Sequence, residues 1–308
     1  MLWGGVPEFN DVIAQLKSKF KFGTENESSF RYTGIDLQQQ DDFSIIADQK
    51  EYIAAIKPIP LTPTQKEDKQ QSLDDGELKL LRMALGQLNW VAGLTRPEIS
   101  YYTCELSTHI KKATIDDIIS TNKVIKFIKS RPGHIKFSVL DMNTIKLEIY
   151  ADASWNNLPN GGSQGGQIIF ISDKYNLSSP LYWNSTRLKR VARSTLAAES
   201  LLVSEGCDSA YYLSKLVGLI MNISRDIKII AHTDNQSLFN TAKSTNQILD
   251  KRLRVEISAI RELCEKEEIE LKWVEGRKQI SNVLTKKGAS SDLLQSVLQE
   301  GNLKVLFK

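Results

Sequence analysis

The feature that most constrains the fold is a change of hydrophobic pattern near residue 146. Strand-like runs occur at 146–152, 167–172 and 180–183, then a helix begins at about Thr195 and the apolar strand IKIIAHTD follows. With the helices and strand after it, the predicted order is β-β-β-α-β-α-β-α. Three antiparallel strands followed by β-α-β crossovers predict an α/β fold with a mixed sheet, covered by helices on both faces.

The glycine-rich segment NGGSQGG separates the first two of these runs. Glycine and asparagine suit tight turns between antiparallel strands, because they adopt positive φ at little cost. We therefore predict a turn at residues 160–166.

The first part of the chain is organised differently. Helical spacing over 8–20 is followed by a predicted hairpin over 30–49, and the polar, proline-rich residues 58–75 predict an exposed connector. Three helices are predicted after this connector. A capping box of Thr95 and Glu98 is predicted to begin the second of them.

Composition limits the classes of function. The 308 residues are 41% hydrophobic and 25% charged, which predicts a soluble chain with two globular parts. No apolar run approaches the roughly 20 residues that cross a bilayer, and the first residues lack a signal-peptide pattern, so we expect an intracellular protein of the cytoplasm or nucleus, without a membrane partner. The three distant cysteines are predicted to be core thiols. A net charge of +3 does not by itself indicate a nucleic-acid partner.

Three acids lie at positions where mixed sheets commonly bind ligands. Asp152 ends the first strand-like run, Asp234 ends IKIIAHTD, and Glu199 lies one turn into the long helix. Ligands bind near the carboxyl ends of strands in open sheets with crossover helices, so the three carboxylates are expected to converge. The alternative is that Asp152 and Asp234 cap strands and that Glu199 is a solvated helix residue.

A cluster of carboxylates is costly without a cation, because like charges repel and raise at least one pKa. A hard divalent ion removes that cost, and carboxylate oxygens suit Mg²⁺ or Mn²⁺. Two such ions could activate a water and stabilise the leaving oxygen of a phosphodiester. The pattern is thus compatible with metal-assisted hydrolysis of a nucleic-acid strand.

Four segments carry a family resemblance. YADASW, ARSTLAAES, HTDNQSL and WVEGRKQISNVLTKKGAS resemble the ribonuclease H region of copia-type retrotransposon polyproteins, over residues 146–290. In the first half, MLWGG, FKFG, FRYTGIDLQQ and GQLNWVAGLTRPEISY resemble the reverse transcriptase after its catalytic strand, through the thumb and connection. The resemblance implies a ribonuclease H-like mixed sheet preceded by a palm remnant and a helical thumb or connection.

The same resemblance implies a division of the chain into four parts. They are a truncated reverse transcriptase palm remnant with a linker (1–75), a helical thumb or connection (76–135), a ribonuclease H-like domain (136–295) and a tail (296–308). The paired aspartates of the polymerase precede the LWGG-like segment in the family. Because this sequence begins at Met1-Leu2-Trp3, we expect no polymerase activity from it.

By position, the resemblance assigns Asp152, Glu199 and Asp234 as catalytic ligands of Mg²⁺ or Mn²⁺, with two ions bound. Asn282 takes the fourth catalytic position, where family members usually carry an aspartate. The implied function is metal-dependent endonucleolytic cleavage of RNA in RNA-DNA hybrids, weakened or lost through Asn282. The alternative is a catalytically inactive remnant that binds nucleic acid or acts as a scaffold, and the remaining polyprotein segments are further expected partners.

Basic residues near the acids are candidate phosphate contacts, since Lys and Arg supply most of the affinity for nucleic acid. The predicted contacts to a hybrid are Arg187, Lys189, Arg190, Arg193 and Lys286, together with Asn235 and Gln236, which could reach the minor groove where the 2′-hydroxyl marks RNA. The alternative is that basic clusters of this kind are solvated faces balanced by nearby acids.

His232 lies two residues before Asp234 on the same predicted strand. A structural role is the preferred interpretation, and a role in tuning the site is the alternative. The tryptophans are interpreted as packing residues rather than stacking platforms for bases.

Overall fold

The computed structural model describes residues 9–307 except 24, 25, 27, 159 and 160. The MLWGG motif and Asn160 of the glycine-rich segment lie outside the described residues. No helix in the described ranges has both the length and the apolar character needed to cross a membrane.

Strands form two sheets. In chain order they are β1 Ser29–Tyr32, β2 Ile35–Gln39, β3 Ile45–Asp48, β4 Ile135–Phe137, β5 Lys146–Leu158, β6 Gly162–Ser172, β7 Ser178–Arg187, β8 Lys228–Thr233 and β9 Ile269–Trp273. The first sheet is antiparallel with the order β1-β2-β3-β4. The second has the order β7-β6-β5-β8-β9, with β5, β6 and β7 antiparallel and β5, β8 and β9 parallel. The predicted ribonuclease H-like mixed sheet is confirmed.

Helices flank both sheets. They are α1 Phe9–Lys19, α2 Lys50–Ala55, α3 Pro63–Glu67, α4 Asp75–Leu94, α5 Ser100–His109, α6 Ile115–Ser130, α7 Thr195–Ile220, α8 Gln236–Lys243, α9 Lys251–Glu265 and α10 Asp292–Glu300. The crossover from β8 to β9 contains two helices, α8 and α9. Within the predicted exposed connector, α3 begins with a capping box at Thr62.

The alternation of β5 gives the mixed sheet two cores. Leu147, Ile149 and Ala151 point to one face, where they belong to the apolar cluster that α7 and α9 cover. Tyr150 points to the other face, into a cluster that includes residues of α10. Helices therefore cover both faces, as the sequence predicts.

The glycine-rich turn is shorter than predicted, because β6 already begins at Gly162. A Cβ at Gly165 would lie 2.6 Å from Leu202 Cδ2, and one at Gly166 would lie 2.5 Å from Leu284 Cβ. These two glycines are therefore required by close packing against other elements rather than by a turn.

The predicted capping box at the second helix of the helical segment is wrong. The Thr95 hydroxyl donates instead to Gln49 Oε1 at 2.8 Å, and Glu98 is a buried partner of Arg96. A short 3-10 turn at Pro97–Ile99 leads into α5 with no side-chain cap. Both side chains that the local pattern assigned to a helix cap thus bond to other residues instead.

The two halves of the chain share elements. β4 follows α6 in sequence but pairs with β3 of the N-terminal hairpin, and the indole N–H of Trp183 on β7 donates to the Ala92 carbonyl of α4 at 2.8 Å. The predicted boundaries after residues 135 and 295 fall inside β4 and α10. The division into four parts stays a prediction.

Candidate metal centre

The candidate site lies where β5 and β8 diverge. Parallel pairing between them ends at Tyr150 and His232, and β5 continues past this point to Leu158. Asp152 is therefore inside a strand, paired with Gly166 of β6, and does not end the strand as the sequence suggested. Asp234 directly follows the end of β8. Both acids therefore lie at the point where the pairing of β5 with β8 ends.

Glu199 approaches the two aspartates from the first turns of α7. The helix begins at the N-cap Ser194, whose hydroxyl oxygen accepts the Ala197 N–H at 3.1 Å. Ala198 and Leu202 of the same turns are buried against the sheet. One carboxylate oxygen each from Asp152, Glu199 and Asp234 lies within 4.8 Å of the others.

Burial and neighbouring negative charge raise the pKa of Glu199 and of Asp234. Burial and the charges of Asp152 and Asp234 raise the pKa of Glu199 from 4.5 to about 8, against a hydrogen bond from Asn235 and the charge of Lys286. Burial and the charge of Asp152 raise the pKa of Asp234. Among the described residues, Glu199 Oε2 has no hydrogen-bond partner although it is buried. An unsatisfied buried oxygen in a cluster of acids fits a divalent cation with oxygen ligands.

Two polar residues that the sequence prediction did not assign to the metal site contact Asp152 or its neighbour Ala151. The Thr285 hydroxyl donates to Asp152 Oδ2. Gln279 is buried and donates from Nε2 to the Ala151 carbonyl at 3.1 Å, next to Asp152. Thr285 directly precedes Lys286, a predicted site residue, in the LTKK segment. This adjacency was the one sequence signal that could have identified Thr285.

Asn282 lies on a short 3-10 segment, Ile280–Leu284. Its Nδ2 donates to the Gly276 carbonyl at 2.9 Å, and its Oδ1 accepts a hydrogen bond from Lys286. The Lys286 ammonium also lies 3.3 Å from Asp152 Oδ2 and 3.4 Å from Oδ1. The residue at the predicted fourth position therefore binds a lysine.

His232 belongs to a neighbouring buried pair. Its Nε2 lies 2.6 Å from Glu148 Oε2, and its ring stacks on Tyr150 with centroids 4.4 Å apart. Burial alone would raise the pKa of Glu148, but His232 and Lys146 lower it to about 2. These contacts agree with the preferred structural interpretation of His232.

Comparisons with known proteins give relatives for most of the chain. It is 26% identical over 188 residues to the retrovirus-related Pol polyprotein from transposon RE1 of Arabidopsis thaliana, a match over 60% of this chain and 12% of the relative. It is 27% identical over 230 residues to the Ty1-ER2 Gag-Pol polyprotein of Saccharomyces cerevisiae, over 69% of this chain and 12% of the relative. The resemblance to copia-type retrotransposon polyproteins is confirmed. No protein-family model matches the chain.

Solved structures resemble the chain at low sequence identity. The foamy viral protease-reverse transcriptase in complex with RNA/DNA hybrid matches 90% of this chain and 34% of its own, with 12% identity and a TM-score of 0.46. Ribonuclease H1 from Halobacterium salinarum matches 46% of this chain and 94% of its own, with 13% identity and a TM-score of 0.34.

The basic residues predicted to contact nucleic acid differ in their surroundings. Arg187, Lys189 and Arg193 are exposed, and the Arg187 guanidinium covers Gly162, where a Cβ would lie 2.8 Å away. Arg190 pairs with Glu256 of α9, so an acid distant in sequence balances one member of the cluster.

The polar pair after Asp234 begins α8. Asn235 is the N-cap of that helix, where its Oδ1 accepts the Leu238 N–H at 2.9 Å, and it also hydrogen-bonds Glu199. Gln236 is exposed and donates to Asn240 Oδ1 at 3.0 Å. Asn235 thus already has partners in the protein, whereas Gln236 faces solvent.

Proposed function

We propose that this chain hydrolyses the RNA strand of RNA-DNA hybrids and that Asp152, Glu199 and Asp234 hold its Mg²⁺ or Mn²⁺ ions, two when fully loaded. The observation that supports this most is the approach of the three carboxylates to within 4.8 Å of one another where β5 and β8 diverge. The bound ions would activate a water and stabilise the leaving oxygen of the phosphodiester.

The surrounding side chains support the same assignment. Thr285 orients Asp152 through its hydroxyl, and Asn235 at the start of α8 lowers the pKa of Glu199 against the effect of burial. Asn282 stays the candidate for a weak, assisting fourth position. Because an amide carries no charge, it attracts a divalent ion less strongly than an aspartate would.

Exposed basic residues lie on the segments around the acids. Arg187, Lys189 and Arg193 on and after β7 are proposed to contact the phosphates of the hybrid, with a smaller contribution from the paired Arg190. Gln236 is proposed to contact the minor groove. The matched segment covers 12% of the RE1 polyprotein, so remaining polyprotein segments are proposed as partners, in the cytoplasm or nucleus.

The decisive experiment is cleavage of an end-labelled RNA-DNA hybrid by the full chain in Mg²⁺ and in Mn²⁺. We expect endonucleolytic RNA products with the hybrid and none with single-stranded RNA or duplex DNA. Asp152→Asn should reduce cleavage to background, because it removes a charged ligand. Asp226→Asn is the matched control, since this exposed acid precedes β8 at the end opposite the site and should leave cleavage unchanged. Binding of the hybrid without cleavage in either ion would refute the proposal.

A further inference from the structure

Lys286 places a positive charge beside Asp152 in the candidate site. Its ammonium faces both oxygens of Asp152, at 3.3 and 3.4 Å, and is hydrogen-bonded to Asn282 Oδ1. Among the described residues, no other Lys, Arg or His is within salt-bridge distance of Asp152, Glu199 or Asp234. The position of Lys286 therefore partly offsets the negative charge of the cluster.

The neutral side chain of Asn282 makes this arrangement effective. Asn282 is held by its own hydrogen bond to the Gly276 carbonyl at 2.9 Å, so its Oδ1 is placed where it accepts a hydrogen bond from the Lys286 ammonium. It positions the ammonium without neutralising it. An aspartate at this position would instead form an ion pair with Lys286 and leave less positive charge for Asp152.

We propose that the Lys286 ammonium is a built-in counterion of the metal-free site, which a divalent ion must displace from Asp152 in order to bind. This inference rests on the proposed function, because it assumes that Asp152 is a metal ligand. The ammonium faces the two oxygens that such an ion would use, and the two cations repel each other. The lysine can leave, since 44% of its side chain is exposed and its long stem can carry the ammonium into water.

The neighbouring Lys287 provides a matched control. It has the same charge and is adjacent in sequence, but its Nζ pairs with Glu105 of α5 at 3.6 Å, away from the three acids. A general effect of removing one positive charge from this segment would appear in both lysine variants. Displacement by the metal would appear only at position 286.

The test is calorimetric titration of Mn²⁺ into the metal-free full chain and its variants. Lys286→Gln should bind Mn²⁺ about tenfold more tightly than the wild type, because no ammonium has to be displaced. Lys286→Arg keeps the charge and should show no such gain, and Lys287→Gln should match the wild type. In chelator, Lys286→Gln should unfold at a lower temperature than the wild type, since the acids lose their counterion, and added Mn²⁺ should raise its Tm by more.

The outcomes separate the two proposals. Unchanged Mn²⁺ affinity in Lys286→Gln, with Mn²⁺-dependent cleavage intact, overturns the counterion role and leaves the proposed function standing. Weaker binding of the hybrid in chelator without any change in Mn²⁺ affinity assigns Lys286 to phosphate contact and also overturns it. Absence of Mn²⁺ binding in wild type and variants alike refutes the metal site itself.

Discussion

Glu199 is the residue whose ionisation is most strongly coupled to the site. It is 6% exposed and shares its surroundings with Asp152 and Asp234. Burial, followed by these two charges, raises its pKa to about 8. At neutral pH and without metal, Glu199 is therefore mostly protonated in the folded chain and ionised in the unfolded chain.

This difference predicts how stability depends on pH. Because the folded-state pKa of Glu199 is raised above 4.5, its stabilising effect is complete below about pH 4.5 and is lost as the pH rises through about 8. The raised pKa of Asp234 acts in the same direction. In chelator, the Tm of the wild type should fall between pH 5 and 8. The same measurement on Glu199→Gln gives the contribution of all other titrating groups, which is then subtracted. A wild-type curve parallel to that of the variant would contradict the prediction.

At the residue scale, the sequence identified the three acids but not their environment. Asp152, Glu199 and Asp234 could be selected from their positions on predicted strands and a helix, and from the family segments that contain them. The contacts of Thr285 and Lys286 with Asp152 depend on the path of the 3-10 segment that precedes them. No local pattern specifies that path, because it is set by packing against the sheet.

At the scale of elements, the types and order in the mixed sheet could be predicted, whereas several ends could not. Gly165 and Gly166 read as turn residues because glycine favours turns, yet both lie in β6. Their role depends on Leu202 and Leu284, which come from elements distant in sequence. Local composition signals conformational freedom but does not reveal a close approach between elements.

Gly166 offers a test at this scale. A Cβ there would lie 2.5 Å from Leu284 Cβ and 2.9 Å from Thr285 Cγ2, so Gly166→Ala must displace the segment that contacts Asp152. We expect a loss of about 1–3 kcal/mol in the free energy of unfolding, measured by denaturant titration, together with weaker Mn²⁺ binding.

The control for this change is Gly86→Ala in α4, where a Cβ meets nothing within 4 Å. It should stabilise the protein by about 0.5–1 kcal/mol, because alanine is the better helix former. Equal effects of the two substitutions would show that close packing at Gly166 is not the cause.

At the scale of the whole molecule, a buried ion pair connects the two halves. Arg96 and Glu98 are each 1% exposed in their side chains, with Arg96 Nε 2.5 Å from Glu98 Oε1. The same glutamate oxygen accepts a hydrogen bond from Gln295 of α10 at 3.0 Å. The helical segment is thus joined to the mixed-sheet region by a contact between residues 197 positions apart.

Removing one partner of this pair should be costly. Glu98→Ala leaves the Arg96 charge buried and unpaired, and we expect a loss of about 3–5 kcal/mol in the free energy of unfolding. Glu51→Ala is the control, because it removes a pair with Arg31 in which both side chains are largely exposed, and it should have a much smaller effect. Denaturant titration monitored by tryptophan fluorescence and by circular dichroism measures both. Comparable losses would argue against the importance of the buried pair.

There is a physical reason why the pairing of β3 with β4 could not be predicted from the sequence. Ile45 lies opposite Phe137 in this sheet, and the many intervening residues form a helical segment with its own apolar core. Each strand is short, and periodicity in either one does not specify its partner.

This pairing has a consequence for a chain that has been nicked. Residues 66–72 are exposed, and the Lys69 and Gln71 carbonyls accept backbone hydrogen bonds from Asp116 and Ile115. Local opening of these bonds would let trypsin cleave after Lys66 or Lys69. The hydrogen bonds between β3 and β4, with Ile53, Ile56 and Ile59 in the same core as α4 and α6, would hold the two fragments together. The two fragments should co-elute on native size exclusion and separate only in denaturant. The N-terminal hairpin would thus stay bound to the rest of the protein after the backbone has been cleaved.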